Sequence, residues 1–393
     1  MEIVIVGGGY AGVSCALRLA HRARQQGTPA RIRLINPAPV LVERIRLHQA
    51  ATGQHLRERR LDPLLKRCGV ELVTGWVEAL DPVARTVRVG HATFSWDRLV
   101  LAIGSSSGRA DVPGVSQHAL RLQPSSAGEL CRRLQALPVR SRVLVVGGGL
   151  TGIESAAEIA ESFPHLDVQL ATSREVAQGF SAAGRHHVHR VLERLRVRVH
   201  EGAPVREVRA GALATPAGDL PFDICLWSAG FELPRLPRDA GLRVNAQGQV
   251  LVDPQLRSVS HPWIYAAGDV AAPVLAPGQD LPMGCKSAMP MGAHVGDNLA
   301  CELRGDEGRA FDYALLFYCV SLGRRDGLIQ WADDQGRLCG RVLTGRRGAW
   351  FKEMICRTTW WALLWESRGR KAVAWKRTGQ APQALPLPEQ ARA

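Results

Sequence analysis

The sequence predicts an α/β fold made of two units of one kind, one inserted into the other, with a smaller α+β region at the end. Three observations predict it. A β-branched run, Ile3-Val4-Ile5-Val6, feeds a glycine-rich loop, Gly7-Gly8-Gly9-Tyr10-Ala11-Gly12, and then a helical pattern. The same order recurs at Val143-Leu144-Val145-Val146, followed by Gly147-Gly148-Gly149-Leu150-Thr151-Gly152 and a second helical pattern. A late run, Trp263-Ile264-Tyr265-Ala266-Ala267-Gly268-Asp269, reads as a strand that rejoins the first sheet.

Each loop has the G-x-G-x-x-G spacing between a strand and a helix, and that context gives the spacing its meaning. Gly7 and Gly147 make the tight turn. Gly9 and Gly149 let the backbone approach a pyrophosphate, and Gly12 and Gly152 let the helix close on the strand. The phosphates would lie at the positive helix N-terminus. These are Rossmann-type dinucleotide-binding units. One such loop places one dinucleotide; two suggest a pair facing each other, the arrangement hydride transfer requires.

Along the chain, the first unit reads as strand 2–6, helix 12–25 and strand 31–35. An acidic residue often closes that second strand and holds the adenosine ribose. Here the position is Asn36, whose amide can still donate to and accept from a hydroxyl. Segments Glu71–Val73 and Thr86–Val89, flanking Gly75 and Asp81-Pro82, read as an antiparallel meander. Asp97–Gly104 reads as a buried strand ending in a glycine turn, and Asp111–Gly114 as a crossover. The second unit repeats the opening at 142–162, continues with strand Asp167–Ala171 and Thr172-Ser173-Arg174, and ends its last block at Cys225–Gly230. The expected division is 1–112 with 245–310 for the first domain, 113–244 for the second, 311–379 for the C-terminal region and 380–393 for a disordered, proline-containing tail.

Bulk properties narrow the setting. Of the 393 residues, 46% are hydrophobic and 22% charged, the balance of a globular protein with sizeable cores. The first strand begins at residue 2, leaving no room for a signal peptide, and no apolar run reaches membrane-spanning length, so the expected location is cytoplasmic. None of the nine cysteines forms a C-x-x-C pair or a zinc spacing, so reduced thiols and no metal are expected. The net charge is +14, and ten basic residues between Arg341 and Arg377 face only Glu353 and Glu366. No nucleic-acid motif accompanies this charge, so no specific nucleic-acid partner is expected. Residues 350–365 read as an amphipathic helix with Trp350, Met354, Trp361 and Trp365 near one face, a pattern suited to peripheral contact with a membrane or to packing on the first domain or on a second subunit.

With Gly7–Gly12, Gly147–Glu154 and Tyr265–Asp269 on the page, the chain resembles the FAD-dependent pyridine nucleotide-disulfide oxidoreductase superfamily, and within it the type II NADH dehydrogenases. The resemblance implies FAD in the first unit and NADH or NADPH in the second. It implies that Asp269, beside Gly268, meets the flavin's ribityl–phosphate region. Ala102 and Gly104 correspond to the family's turn against FAD, and Val77 to a position whose backbone meets the adenine. Glu154 corresponds to a glutamate near the nicotinamide, although its apparent first-turn position on a helix also suits simple dipole compensation. Gly230, at the end of the second unit's last block, is counted with the cofactor-binding positions.

The implied activity is hydride transfer from NAD(P)H to FAD, then electron transfer to a small-molecule acceptor, a quinone by family. The family's quinone motif has two glutamines; Lys286 and Pro290 stand in their places. Lys286 could stabilise a reduced, anionic flavin by charge, or be solvated. No cysteine lies in Pro37–His48, so a disulfide substrate is not expected. Cofactor choice stays open: an acid favouring NADH is missing near Thr172, and Ser173 and Arg174 could receive the phosphate of NADPH. Other readings are a redox-responsive flavoprotein that binds with little turnover, or a flavin reductase or oxidase using a soluble molecule or oxygen.

Overall fold

The computed structural model describes residues 1–107, 111–275, 281–333 and 336–380. The tail expected from Gln380 onward lies, past that residue, outside them.

The first unit runs β1 (Glu2–Val6), α1 (Tyr10–Gln26), β2 (Arg31–Asn36), β3 (Glu71–Thr74) and β4 (Arg98–Leu101). The second runs β5 (Leu120–Arg121), β6 (Arg142–Val146), α2 (Leu150–Ser162), β7 (Asp167–Ala171), β8 (Arg198–His200) and β9 (Ile224–Trp227). The chain then returns through β10 (Ile264–Ala266) into α3 (Cys285–Glu302). It ends in β11 (Phe317–Ser321), β12 (Gly327–Ala332), β13 (Leu338–Leu343) and α4 (Gly345–Glu366).

Two five-stranded sheets result, each parallel throughout. The first has the order β10-β4-β1-β2-β3 and the second β8-β7-β6-β9-β5. The β-branched runs form the central strands because a parallel sheet is covered on both faces and tolerates continuous apolar sequence. Ile3, Val4 and Ile5 are fully buried, as are Val143, Leu144 and Val145. The return of β10 beside β4 makes the second unit an insertion in the first, as the late strand predicts.

One expectation fails in detail. Glu71–Val73 is not part of a meander but pairs in parallel with β2 at the sheet edge. A short helix, Asp62–Arg67, precedes it and turns the chain back, giving the crossover a parallel neighbour needs. The antiparallel meander lies one strand later, at 79–81, 86–89 and 92–95.

Helices α1 and α3 pack side by side in the same direction, closely enough to demand glycine. A side chain at Gly292 would run into the Ala11 carbonyl, and one at Gly296 would sit 2.8 Å from the Cys15 carbonyl oxygen. Arg18 pins this pair to the end of α4. Its guanidinium, 1% exposed, donates to Glu366 at 3.0 and 2.6 Å and to Asp297 at 2.8 Å. In the C-terminal region, β11–β13 form an antiparallel sheet against which α4 lies. Lys352, Cys356, Thr359, Leu363 and Glu366 face inward on α4, whereas Trp350, Trp361 and Trp365 are 65%, 40% and 48% exposed. The tryptophan stripe expected on one face is therefore the outer one.

Candidate active site

The two glycine loops open into one cavity of about 960 Å³, lined by Gly9, Tyr10 and Ala11 from the first unit and by Gly147 through Thr151 from the second. The backbone explains which glycine does what. A side chain at Gly12 would strike the Gly7 carbonyl, and one at Gly152 the Gly147 carbonyl, so these two keep helix on strand. Gly7 and Gly147 adopt φ of 107° and 126°, which L side chains avoid. At Gly9 and Gly149 a side chain would meet no protein atom at all. Both are the N-caps of helices with no side-chain cap, so their free backbone donors look into the cavity. Space kept clear at an uncapped helix N-terminus, twice, fits the pyrophosphates of two dinucleotides.

The strand ends complete the first half. Ala102, Gly104, Gly268 and Asp269 all line the cavity. The Asp269 carboxylate accepts from the Ser105 hydroxyl at 2.7 Å and from the Gly284 backbone N–H at 2.9 Å, tying the turn after β4 to the start of α3. Arg44 lines the same wall and donates to the Ser105 carbonyl. Asn36 stands behind the loop. Its Oδ1 accepts from Gly8 N–H at 2.7 Å and its Nδ2 donates to the Ala38 carbonyl at 2.6 Å. Both ends of the amide thus hold backbone. Val77 is half-buried and lies outside the lining.

In the second half, Thr172, Ser173 and Gly230 line the cavity, and Thr172 packs directly beside Gly148. Arg174 is exposed just beyond, its backbone N–H 3.4 Å from the Thr172 hydroxyl.

Glu154 lines the cavity, but not from the helix's first turn. Because α2 begins at Leu150, Glu154 sits a turn inside and does not serve the helix terminus. It is buried, its Oε1 3.0 Å from Lys352 Nζ and accepting at 3.0 Å from the Ser321 N–H. Burial pushes its carboxyl up, but Lys352, His48 and the Ser321 donor more than offset this, and it titrates below the usual glutamate range. Burial likewise opposes charge on Lys352; Cys319 and Glu154 outweigh it and hold the ammonium well above the lysine norm. His48 Nδ1 lies 3.7 Å from Glu154, and its Nε2 lies 4.0 Å from Glu158. Burial pulls the imidazole down to about 4, so it is neutral at pH 7. Glu158 in turn accepts from Arg324 at 3.0 Å and from Gln54.

Lys286 is half-buried on the cavity wall and has no carboxylate partner among the described residues. Its Nζ sits 3.3 Å from the centre of the Tyr318 ring, and burial lowers its ammonium to about 8. Pro290, in the helix interior, has no N–H to offer the Lys286 carbonyl one turn back. Cys285 and Cys319 also line the cavity.

Eleven of the seventeen expected site residues line the cavity; Gly7, Gly12, Asn36, Val77, Gly152 and Arg174 do not, and Lys352, His48, Arg44 and the two thiols line it without having been expected. For Lys352 a signal existed. The spacing of Lys352, Cys356, Thr359, Leu363 and Glu366 is itself a helical stripe, and it is the buried one.

Residues 1–292 match the family model described as pyridine nucleotide-disulphide oxidoreductase. An NADH dehydrogenase-like protein of Mycobacterium tuberculosis is 30% identical over 324 residues, covering 77% of this chain and 80% of its own. The type II NADH:quinone oxidoreductase of Staphylococcus haemolyticus is 25% identical over 387 residues, covering 90% and 94%. Among solved structures, the sulfide:quinone oxidoreductase of Aquifex aeolicus superposes with a TM-score of 0.80 at 18% identity, covering 95% of this chain and 93% of its own. The chain belongs to the pyridine nucleotide-disulphide oxidoreductase family. With that membership come FAD and a nicotinamide dinucleotide as cofactors, and the two open glycine loops are where they fit.

Proposed function

We propose that this protein oxidises NADH or NADPH and passes the electrons, by way of FAD, to a quinone-type small molecule. The observation that carries the reading is the shared cavity: two uncapped, glycine-lined helix N-termini open into one space with a charged, buried group of side chains on its wall. FAD supplies the two-electron chemistry when bound, and the protein supplies orientation and proton management. Gly9 and Gly149 admit the two pyrophosphates, and Gly7, Gly12, Gly147 and Gly152 set the loops that present them. Asp269, Ala102 and Gly104 position the flavin end of the first cofactor, and Asn36 does so indirectly by fixing Gly8.

Reducing a quinone takes two electrons and two protons, so its oxygens need a donor. Lys352 Nζ holds a proton at 3.0 Å from Glu154 Oε1, in a wall that burial keeps poor in water. That ammonium is suited to hydrogen-bond the acceptor's carbonyl oxygen as charge develops there. Glu154 and neutral His48 continue the polar path away from the cavity. Lys286 takes the place of a glutamine donor and brings a positive charge of lowered basicity. Val42, Ile45, Leu47 and Met283 give the same cavity an apolar wall suited to a flat ring.

The outer tryptophans of α4 beside Arg357 fit contact with a membrane surface, where a lipid-soluble quinone would be met. Among the described residues no helix is long and apolar enough to cross a membrane.

Anaerobic titration tests the proposal. Purified protein should be yellow and bleach on adding one equivalent of NADH or NADPH, and a quinone should restore the colour catalytically. Protein that bleaches but regains colour with no quinone in a panel would reject the acceptor; protein that takes up no flavin would reject the whole reading.

A further inference from the structure

A second cavity, of about 250 Å³, lies at the far ends of the two helices whose starts border the first. Gly292 faces Ala11 and Gly296 faces Cys15, so α1 and α3 run in parallel, and the later residues Arg22, Gln26, Asp297 and Arg304 meet at this other end. Gln26 stands 15 residues beyond Ala11, about 22 Å along the helix, so the second cavity is remote from the redox chemistry.

Its lining is strongly one-signed. Arg22, Arg304, Arg309, Lys371 and Arg377 border it, against a single carboxylate, Asp297. Both oxygens of Asp297 are occupied, by Arg18 at 2.8 Å and Arg22 at 3.0 Å. Arg304 pairs with Asp306 at 2.5 Å. Arg309 and Lys371 have no carboxylate partner among the described residues. Arg377 lies over the Trp375 ring at 5.4 Å and has no carboxylate ion pair among the described residues. The other carboxylate it influences, Asp312, is hydrogen-bonded by Thr378 and Gly379. Gln26 also borders the cavity, and its Oε1 is buried with no hydrogen-bond partner. A carboxamide turned end for end would present N–H donors there instead.

We propose that this cavity is a binding site for an anion carrying one or two phosphate groups, held by Arg309, Lys371 and Arg377 with Arg22 and Gln26 beside them. The volume is that of about eight water molecules, room for such a group and too little for a dinucleotide. Charge compensation of the two helix C-termini explains part of the cluster, since each carries about half a negative charge. It does not explain five cations, two of them contributed by a segment beyond α4, nor a buried amide oxygen without a partner. The concentration of basic residues near the end of the sequence gains a local purpose by this reading.

The test uses full-length, FAD-loaded protein and inorganic pyrophosphate as probe, with calorimetry in saturating NAD⁺ so that the Gly147 loop does not compete for it. Saturable binding is expected, weakened at least tenfold in the Lys371→Ala/Arg377→Ala double variant and retained in Lys371→Arg, with NADH-dependent dye reduction unchanged. No saturable binding, or equal affinity in the wild type and the double variant, overturns the proposal. Co-sedimentation separates the sources of the phosphate. Binding to phosphatidylglycerol vesicles but not phosphatidylcholine, displaced by pyrophosphate, assigns a lipid headgroup. Pyrophosphate binding without sedimentation assigns a soluble phosphate compound.

Discussion

The two glycine loops have nearly the same backbone and opposite surroundings. Around the first, Asn36 holds Gly8, Gly292 of α3 presses on Ala11, and a buried arginine anchors the helix to the end of α4. Around the second, Thr172 and Ser173 line open space, Arg174 is exposed, and helix α2 turns ionisable groups toward the cavity wall. The same motif is thus set once in a packed surround and once in an open one. That difference is invisible in the loops and written entirely in what packs on them.

The largest effect should come from loosening the first unit. Arg18→Met would leave Glu366 and Asp297 without their shared cation, and Glu366 is 1% exposed. Removing one partner of such a buried pair costs about 3–5 kcal/mol. A urea titration should show that loss, accompanied by release of flavin well before the second unit unfolds. If stability drops by less than about 1 kcal/mol, the anchoring role given to Arg18 is wrong.

A change on the shared wall should leave the fold standing and divide the reaction. In Lys352→Met, Glu154 loses its cation while the bleaching step keeps its geometry. Steady-state turnover with a quinone should fall about a hundredfold, the scale of a lost proton donor, or about 2.7 kcal/mol. The rate of anaerobic bleaching by NADH should stay within about twofold of the wild type. Equal losses in both steps would place Lys352 in structure and not in acceptor chemistry.

His48 reports on the contact between the units, because it comes from the first and lies against Glu154 and Glu158 of the second. Its folded value of about 4 lies below the ordinary 6.5. Between those values the unfolded chain binds a proton that the native chain does not, so stability falls as pH is lowered through this window. The loss attributable to His48 at pH 5 is about 2 kcal/mol. His48→Gln should therefore narrow the stability difference between pH 7 and pH 5 by about that amount, while His294, shifted in the same direction, continues to contribute in both proteins. An unchanged pH slope would mean that His48 is charged, or solvated, in the folded state.

What the sequence made legible follows from range. Strand, loop and helix are consecutive at 3–20 and 143–160, so local spacing sufficed for both units, and the β10 return could be read from its resemblance to the strand ends around it. The edge strand at 71–74 was misread because three apolar-alternating residues look alike in a meander and in a parallel sheet; only the helix before it distinguishes them. The Glu154–Lys352 pair spans 198 positions, and nothing local to either residue announces the other. Lys352 was counted with the surface charges of its helix, although the tryptophans at Trp350, Trp361 and Trp365 already mark the opposite, outward face. Position on a helix was legible there, and partnership was not.

The smallest expected effect bears on the open side of the second loop. No acid closes β7, which Thr172 follows, and among the described residues no carboxylate lines the cavity beside Thr172 and Ser173. Arg174 follows two residues later, exposed, with no carboxylate partner for its side chain among the described residues. A charge-assisted hydrogen bond from its guanidinium to that phosphate would be weakened by solvent, which limits its worth to about 1.4 kcal/mol, or tenfold. Arg174→Ala should therefore lower kcat/KM for NADPH about tenfold and leave that for NADH within about twofold. The ratio is the informative quantity, because a general disturbance of the loop would depress both cofactors together. A variant that loses NADH and NADPH equally would show that Arg174 shapes the loop; one that loses neither would leave Ser173 as the cavity-lining group able to tell the two apart.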